Sequence, residues 1–343
     1  MTEDLIFATA KRSQIAVSGV RAVITLHEQD ATVPFIARYR KAQTGGLDET
    51  EIRAILKAYE VCQELASRKQ TILTTIREQG KLTPELEKQI VTCEDLTILE
   101  DLYLPYKPKR KTKASVAIEQ GLAPLAEIIK NAKAGNPEEL IDPFLQGDIC
   151  TKKEALTGAQ YIIAEEIAEN ALYRAFMREQ FQKNGIAAAK KKKTEHKEAF
   201  KFELYEDFSI NVTKIKPHQT LALLRGEELG ILSVSFEVDE SMTEQFVELT
   251  QKLNSKLLFY EQYKQAIKLG VSRYLAPSLE REVRQYLKEI ADSHAIHVFS
   301  ENLKNLLMQA PLTEKVVMGI DPGFSSGCKV CIVDPHGNYL KGD

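Results

Sequence analysis

The chain has 343 residues, of which 43% are hydrophobic and 28% are charged, so it is long enough for two or three globular domains. Its 46 basic and 49 acidic residues leave a net charge of -3, which excludes a global positive field for phosphate backbones. No stretch reaches about 18 uninterrupted apolar residues, the length of a membrane-spanning helix, and five cysteines do not make a disulfide framework. We therefore expect a cytoplasmic protein without membrane contacts, in which local patches bind any nucleic acid.

Helical signals dominate the first half of the sequence. Apolar residues recur every three or four positions over residues 48–79, which predicts one long helix that ends before Gly80. Thr83, followed by a proline, opens the next helix with a capping hydroxyl. Thr151 begins a capping box, and the helical pattern after it continues until Gly185.

A short β-rich stretch interrupts the helices. The segments "FKFELYEDFSI" and "GILSVSFEVD" carry β-forming residues around a helical "PHQTLALLRG", which predicts a small β insertion over residues 199–240. The lysine run at 190–193 is interpreted as a solvated helix end. Helical periodicity returns at Ser241, and Pro277 starts a final long helix.

The last segment reads as strands and tight turns. "KVVMGID", "CKVCIVD" and "YLKGD" are separated by "PGFSSG" and "PHGN", which predicts an antiparallel ribbon. Cys328 and Cys331 have metal-ligand spacing, but a strand points them to opposite faces, so no metal site is expected. Such a ribbon has unpaired edges, and we expect the sequence to be part of a longer protein.

These signals predict a mainly α fold, namely a multi-helix assembly with a small β insertion and a β-hairpin at its end. We divide the chain into a helical region at 1–198, the insertion at 199–240, a continued helical region at 241–315 and the hairpin segment at 316–343.

Several long strings resemble the Tex family of bacterial transcription accessory proteins. They are "TVPFIARYRK" at 32–41, "TGGLDE" at 44–49, "EQGKLTPEL" at 78–86, "LEDLYLPYKPKRKTKA" at 99–114, "PSLEREVR" at 277–284, "VFSENLKNLL" at 298–307 and "MGIDPGF..GCKV" at 318–330. The resemblance implies a helix-turn-helix-like unit in the helical region and a YqgF or ribonuclease-H-like domain that begins in the hairpin segment. It also implies a role in nucleic-acid binding and transcription. Ser325 stands where many relatives have arginine, which would remove a phosphate contact.

The strongest local candidate for nucleic-acid binding is residues 106–113, "YKPKRKTK", which we call the basic segment. Its cations are Lys107, Lys109, Arg110, Lys111 and Lys113. Pro105 and Pro108 hold the segment extended, so successive cations can follow a phosphate backbone while Tyr103 or Tyr106 stacks on a base. The alternative is a structural linker whose cations pair with acidic helices.

A second basic cluster consists of Arg38, Arg40 and Lys41 around Tyr39, after an apolar "VPFIA" that is expected to anchor in the core. The guanidinium groups can bind phosphates or an acidic partner through paired hydrogen bonds. The alternative, slightly favoured, is that the arginines tie the following "TGGLDE" loop to the helices.

Asp321 follows an apolar strand at the position where ribonuclease-H-like nucleases place a metal-binding carboxylate. One carboxylate is not a two-metal site, so we treat Asp321 as a vestigial nuclease-like position and expect no catalysis and no cofactor. His294 and His297 share a predicted helix face, but neither cysteines nor an H-E-x-x-H pattern supports metal binding there.

The sequence therefore predicts a noncatalytic helical scaffold that binds RNA or DNA weakly and without sequence preference, with the transcription machinery as a second class of partner. The alternatives are part of a metal-dependent nuclease or resolvase and a scaffold that binds only proteins.

Overall fold

The structure is a computed structural model that describes residues 3–146, 149, 151–310, 312, 314–323 and 327–342. Helices account for most of the chain, so the mainly α class is confirmed. Among the described residues, no helix is both long enough and apolar enough to cross a membrane.

The first part of the chain is entirely helical. Its helices are α1 (Glu3–Ser13), α2 (Val17–His27), α3 (Val33–Tyr39), α4 (Lys41–Thr44), α5 (Glu49–Glu78), α6 (Pro84–Thr92), α7 (Leu96–Tyr103), α8 (Lys113–Glu119), α9 (Ala123–Asn131), α10 (Pro137–Ile141), α11 (Lys152–Glu169) and α12 (Ala171–Asn184). Short 3-10 turns follow α7 and α10, at Leu104–Tyr106 and Asp142–Phe144.

The remaining elements alternate between small sheets and helices. They are β1 (Ile186–Lys191), a 3-10 segment (Ala199–Tyr205), β2 (Asp207–Asn211), α13 (Pro217–Glu228), β3 (Leu232–Glu237), α14 (Ser241–Thr250), α15 (Tyr260–Leu269), a π-helical segment (Gly270–Leu275), α16 (Ala276–Leu307), β4 (Val317–Pro322), β5 (Cys328–Val333) and β6 (Tyr339–Gly342).

The predicted helix starts are confirmed by their capping geometry. Asp48 accepts a hydrogen bond from the backbone of Glu51 at 2.8 Å, and the Glu51 side chain accepts one in return at 2.9 Å. Thr83 caps α6, and Thr151 forms the expected capping box in front of α11. Each cap satisfies backbone N–H groups that have no partner inside the helix.

Two details differ from the sequence prediction. The helical pattern from residue 152 to Gly185 is broken at Asn170, whose side chain accepts from the backbone N–H groups of Leu172 and Tyr173 and starts α12. The interpretation of Lys190–Lys193 as a helix end is wrong, because Lys190 and Lys191 lie on strand β1. Alternating burial along β1 was hidden in the sequence, since small alanines occupy its inward positions.

The β insertion also begins earlier than the predicted residue 199. β1 is the middle strand of a three-stranded sheet with the order β2-β1-β3. The string "FKFELYEDFSI" forms a strand only from Asp207, while its first residues form the 3-10 segment.

The chain divides into two compact units, which are residues 1–186 with 237–282 and residues 187–236 with 283–343. In the first unit, α1, α2, α3 and the beginning of α5 enclose one apolar cluster, and the end of α5 packs with α6 and α7 around another. Helix α11 packs against α8, α9, α15 and the π-helical segment.

Gly270 allows the close packing of the π-helical segment on α11. A Cβ atom at this position would lie 2.8 Å from the carbonyl oxygen of Ala164, which is shorter than any normal contact. Only glycine fits there without moving the backbone of α11.

In the second unit, the predicted ribbon is confirmed as the antiparallel sheet β4-β5-β6. Its first pair runs in register from Val317 opposite Val333 to Pro322 opposite Cys328. In the turn before β6, Asp334 accepts hydrogen bonds from the backbone of His336 at 2.9 Å and of Asn338 at 2.8 Å. The Asn338 side chain also donates to Asp334, and these bonds lower the pKa of that carboxyl.

Candidate nucleic-acid interface

The basic segment runs between two helices without being helical itself. Tyr106 ends a 3-10 turn, and the chain from Lys107 to Thr112 has neither helix nor strand. Thr112 caps α8 through a reciprocal pair of hydrogen bonds with Ser115, so Lys113 is the first residue of that helix. The backbone is extended at Lys107 and at Thr112, the two ends of this stretch, as the prolines led us to expect.

Lys109 is directed at helix α11, although it is central to the basic segment. Its ammonium group lies 3.1 Å from Glu165 and 2.5 Å from Glu169 on α11, and 29% of its side chain is exposed. Burial opposes the charge of Lys109, but hydrogen bonds to both glutamates outweigh burial and raise its pKa. For this residue, the geometry matches the alternative in which the segment's cations pair with an acidic helix.

The other four cations of the basic segment differ in availability. Lys113 lies 4.8 Å from the centroid of the Tyr161 ring, and Lys111 makes a solvated ion pair of 3.5 Å with Glu119. Lys107 and Arg110 are exposed, and neither has an ion-pair partner in the described part of the chain. These two side chains are the ones most open to a phosphate.

Neither tyrosine near the basic segment offers a free ring, so the predicted base stacking on Tyr103 is wrong. Tyr103 is buried at the end of α7, and the Arg68 guanidinium lies 5.2 Å from its ring centroid. Tyr106 is half-buried and packs against the same apolar cluster. The position of Tyr103, four residues after the buried Leu99, is the helical spacing that could have indicated burial.

The second predicted cluster lies on the surface around α3 and the start of α4. The Arg38 side chain is 70% exposed and lies 3.9 Å from Glu49. Arg40 donates a hydrogen bond of 3.2 Å to the backbone carbonyl of Tyr39. Lys41 is exposed and has no ion-pair partner among the described residues. The long contact between Arg38 and Glu49 is the one link to the "TGGLDE" loop that the charged groups of these residues make within the described part.

Two aromatic residues of this surface had no binding role in the sequence prediction. Of "VPFIA", only Ile36 is fully buried, while Phe35 is 38% exposed and Tyr39 is 68% exposed. Their ring centroids are 5.4 Å apart, and the Arg40 guanidinium lies 4.9 Å from the centroid of Phe35. We call Phe35, Arg38, Tyr39, Arg40 and Lys41 the α3 patch. The spacing of four between the rings places them on one helix face and was the available signal.

The remaining candidate positions are isolated. Asp321 is exposed on β4 opposite Lys329, and His294 and His297 are exposed on α16. In the part of the chain that the structure describes, no group of three or more metal-binding side chains comes together. Ser325 lies outside the described residues.

Two known protein-family domains match most of the chain. Residues 3–77 match the Tex-like protein N-terminal domain, and residues 132–299 match the Tex central region-like family. The chain belongs to the Tex family.

Relatives of this Tex-family chain occur in bacteria and in animals. It is 38% identical to the protein YdcI of Bacillus subtilis (strain 168), over 97% of this chain and 47% of the relative. It is 37% identical to the transcriptional accessory protein Tex of Neisseria gonorrhoeae, over 94% of this chain and 43% of the relative. It is 30% identical to the S1 RNA-binding domain-containing protein 1 of Homo sapiens, over 100% of this chain and 36% of the relative. The chain spans less than half of the length of each of these proteins.

A buried ionic network connects two of the strings that resemble the Tex family. Asp101, from "LEDLYLPYK", accepts hydrogen bonds from Arg174 and, at 2.7 Å, from Arg178. Arg178 also pairs with Glu282, from "PSLEREVR". Burial opposes the charge of Arg178, but these carboxylates outweigh it and raise its pKa. The network joins α7, α12 and the start of α16, so the two strings serve the internal structure of the first unit.

Proposed function

We propose that this chain is a noncatalytic helical scaffold of a transcription accessory protein, and that it binds RNA or DNA weakly and without sequence preference. The observation that carries the proposal is the exposure of Lys107 and Arg110 on a segment that is neither helix nor strand, where they have no ion-pair partner among the described residues. Cations in this arrangement bind phosphates by releasing counterions, which needs no base-specific contact.

The same proposal includes the fold of two regions, the cellular compartment and the partner. The helices of the amino-terminal region include a helix-turn-helix-like unit, and the sheet β4-β5-β6 is the beginning of a YqgF or ribonuclease-H-like domain in which Asp321 is a vestigial position. The protein acts in the cytoplasm and contacts the transcription machinery. The name of the gonococcal relative, a transcriptional accessory protein, and the RNA-binding domain named in the human relative support this direction.

A salt titration of the full chain tests the binding proposal. Fluorescence anisotropy with a labelled duplex should give weak binding, with Kd of about 10⁻⁴ to 10⁻⁶ M at physiological salt. The double variant Lys107→Ala/Arg110→Ala should lower the steepness of the log-log salt dependence by roughly 2, because each phosphate contact contributes about 0.9.

The matched control is Lys183→Ala/Lys288→Ala, which removes two charges from side chains that already form ion pairs with Glu179 and Asp292. This variant should retain the wild-type salt slope. Equal slopes for all three proteins would reassign Lys107 and Arg110 to a structural role.

The same titration separates the two alternatives. If the labelled nucleic acid is cleaved only when Mg²⁺ is present, the chain is part of a metal-dependent nuclease and not a noncatalytic scaffold. A chain that binds neither duplex nor single strand would instead be a protein-interaction scaffold, which is the alternative that the internal pairing of Lys109 favours.

A further inference from the structure

The α3 patch has a feature that the basic segment lacks, namely exposed aromatic rings close to its cations. We propose that the Phe35–Tyr39 pair is a stacking site for an unpaired nucleobase and that the α3 patch therefore takes single-stranded nucleic acid. This inference rests on the proposed nucleic-acid function and adds a second site with its own substrate class.

The exposure of Tyr39 has no structural explanation in the packing of α3. Ile36 is completely buried and anchors the helix in the core formed with α1, α2 and α5. Tyr39 is 68% exposed and pairs with the ring of Phe35, with a tilt of 42° between the rings. Large aromatic rings are the side chains that bases stack on, because every base offers a π face.

Arg40 contacts the less exposed ring of the pair. Its guanidinium lies 4.9 Å from the centroid of Phe35, and it donates a hydrogen bond to the backbone carbonyl of Tyr39. Arg40 therefore lies against the Phe35 ring, and the more exposed Tyr39 ring remains open to a base. A rigid ring loses little conformational freedom when a base binds to it.

The charges around the rings favour a polyanion over an apolar or neutral partner. Arg38, Arg40 and Lys41 flank Tyr39 along the chain, and Glu49 forms an ion pair of 3.9 Å with Arg38. Glu49 also pairs with Arg53 at 3.4 Å, so it compensates only part of the charge of Arg38. A strand that stacks one base on Tyr39 can place its neighbouring phosphates near these cations.

The basic segment provides the contrast within the same molecule. It has exposed cations, but Tyr103 is buried and Tyr106 is half-buried, so it can contact phosphates without discriminating between paired and unpaired strands. Bases in a duplex are already stacked on each other, and a protein ring cannot stack on them without unpairing them. Preference for single strands should therefore depend on the α3 patch.

The test compares a ten-nucleotide labelled strand with an abasic strand that has the same phosphates. The full wild-type chain should bind the strand with bases about tenfold more tightly than the abasic strand, since stacking on one aromatic side chain has an effect of this size. Tyr39→Leu should reduce this ratio to near one without changing the salt slope, because no charge is altered. Tyr39→Phe should retain the ratio.

Two controls keep the test specific. Tyr286→Leu removes a tyrosine that is 56% exposed on α16 and should leave the ratio unchanged. A strand with 2-aminopurine at one position should lose fluorescence on binding to wild type and to Tyr39→Phe, but not to Tyr39→Leu. Circular dichroism melting of each variant checks that the helices are intact.

The outcomes distinguish this inference from the proposed function. If wild type binds the abasic strand or a polyglutamate peptide as tightly as the strand with bases, the patch recognises anions alone, or an acidic protein, and the stacking site is overturned. The proposed function would still stand if Lys107→Ala/Arg110→Ala lowers the salt slope in that experiment. If wild type binds no strand of any kind, both proposals fall.

Discussion

At the scale of single residues, Lys109 illustrates how one cation of a basic string can be held in ion pairs within the protein. It neutralises Glu165 and Glu169 on α11, and both of these carboxylates are mostly shielded from solvent. Burial raises the pKa of Glu169, and Lys109 offsets part of this effect. The stability of the region should therefore depend on Lys109 and on pH.

Lys109→Met should lower the free energy of unfolding by about 1 to 3 kcal/mol at pH 7.5, because it leaves two carboxylates without their cation. Folding raises the pKa of the Glu169 carboxyl above its unfolded value of 4.5. Protonated Glu169 therefore stabilises the folded state fully at pH values below 4.5, and this contribution is lost as the pH rises through the pKa of the folded state. Removing Lys109 raises the pKa of Glu169 further, so the deficit should shrink as the pH is lowered towards 4.5.

Urea unfolding at several pH values measures this effect. Lys111→Met is the matched control, because Lys111 and Glu119 form a solvated pair and its loss should change stability by less than about 0.5 kcal/mol. Equal and pH-independent effects of the two substitutions would contradict the internal role of Lys109.

At the scale of secondary-structure elements, the ionic network around Asp101 holds three helices of the first unit together. Asp101 on α7 and Arg174 on α12 are both buried, and Arg174 also donates a hydrogen bond of 3.2 Å to Ser278 on α16. Two arginines thus share one buried carboxylate. An arginine that loses its partner in such a place retains an uncompensated charge away from water.

Asp101→Asn should therefore destabilise the protein by about 3 to 5 kcal/mol, the usual cost of breaking a buried ion pair from one side. Glu282→Gln should cost less, because Glu282 is partly exposed and Arg178 keeps its bond to Asp101. Chemical denaturation monitored by circular dichroism measures both. A loss for Asp101→Asn no larger than that for Glu282→Gln would show that the network contributes little to the association of these helices.

At the scale of the whole molecule, protection from solvent is uneven. The helices of the first unit bury large apolar clusters, whereas nearly all side chains of β4 and β6 are exposed. In the sheet β4-β5-β6, the two outer strands each pair with one neighbour in the described structure, and β5 pairs with both. Local opening is easiest where few buried contacts oppose it.

Hydrogen exchange should reflect this distribution. Amides of β4 and β6 should exchange fastest among the strands, β5 should be intermediate, and the buried positions of α5 such as Ile72 and Ile76 should be the most protected. Mass spectrometry of a monomeric sample measures the difference. Protection of β4 equal to that of α5 would mean that this sheet is covered in solution.

The sequence by itself determined the features that depend on neighbouring residues. The caps at Thr83 and Thr151 mark helix starts because a side chain three residues from an unpaired N–H reaches it regardless of the rest of the fold. The turn at Asp334 follows from the same local chemistry. The strings shared with the Tex family likewise indicate the family on their own, because each is a contiguous run of residues.

Only the tertiary structure decided which cations and rings are available to a ligand. Lys109 and Arg110 are adjacent and chemically similar, yet Lys109 is paired with carboxylates that lie 56 or more residues away, on α11. Tyr103 and Tyr39 follow the same kind of apolar helix pattern, yet one is buried by packing against distant helices and the other faces solvent. Exposure and ion pairing depend on which segments meet in space, and local spacing does not encode those long-range contacts.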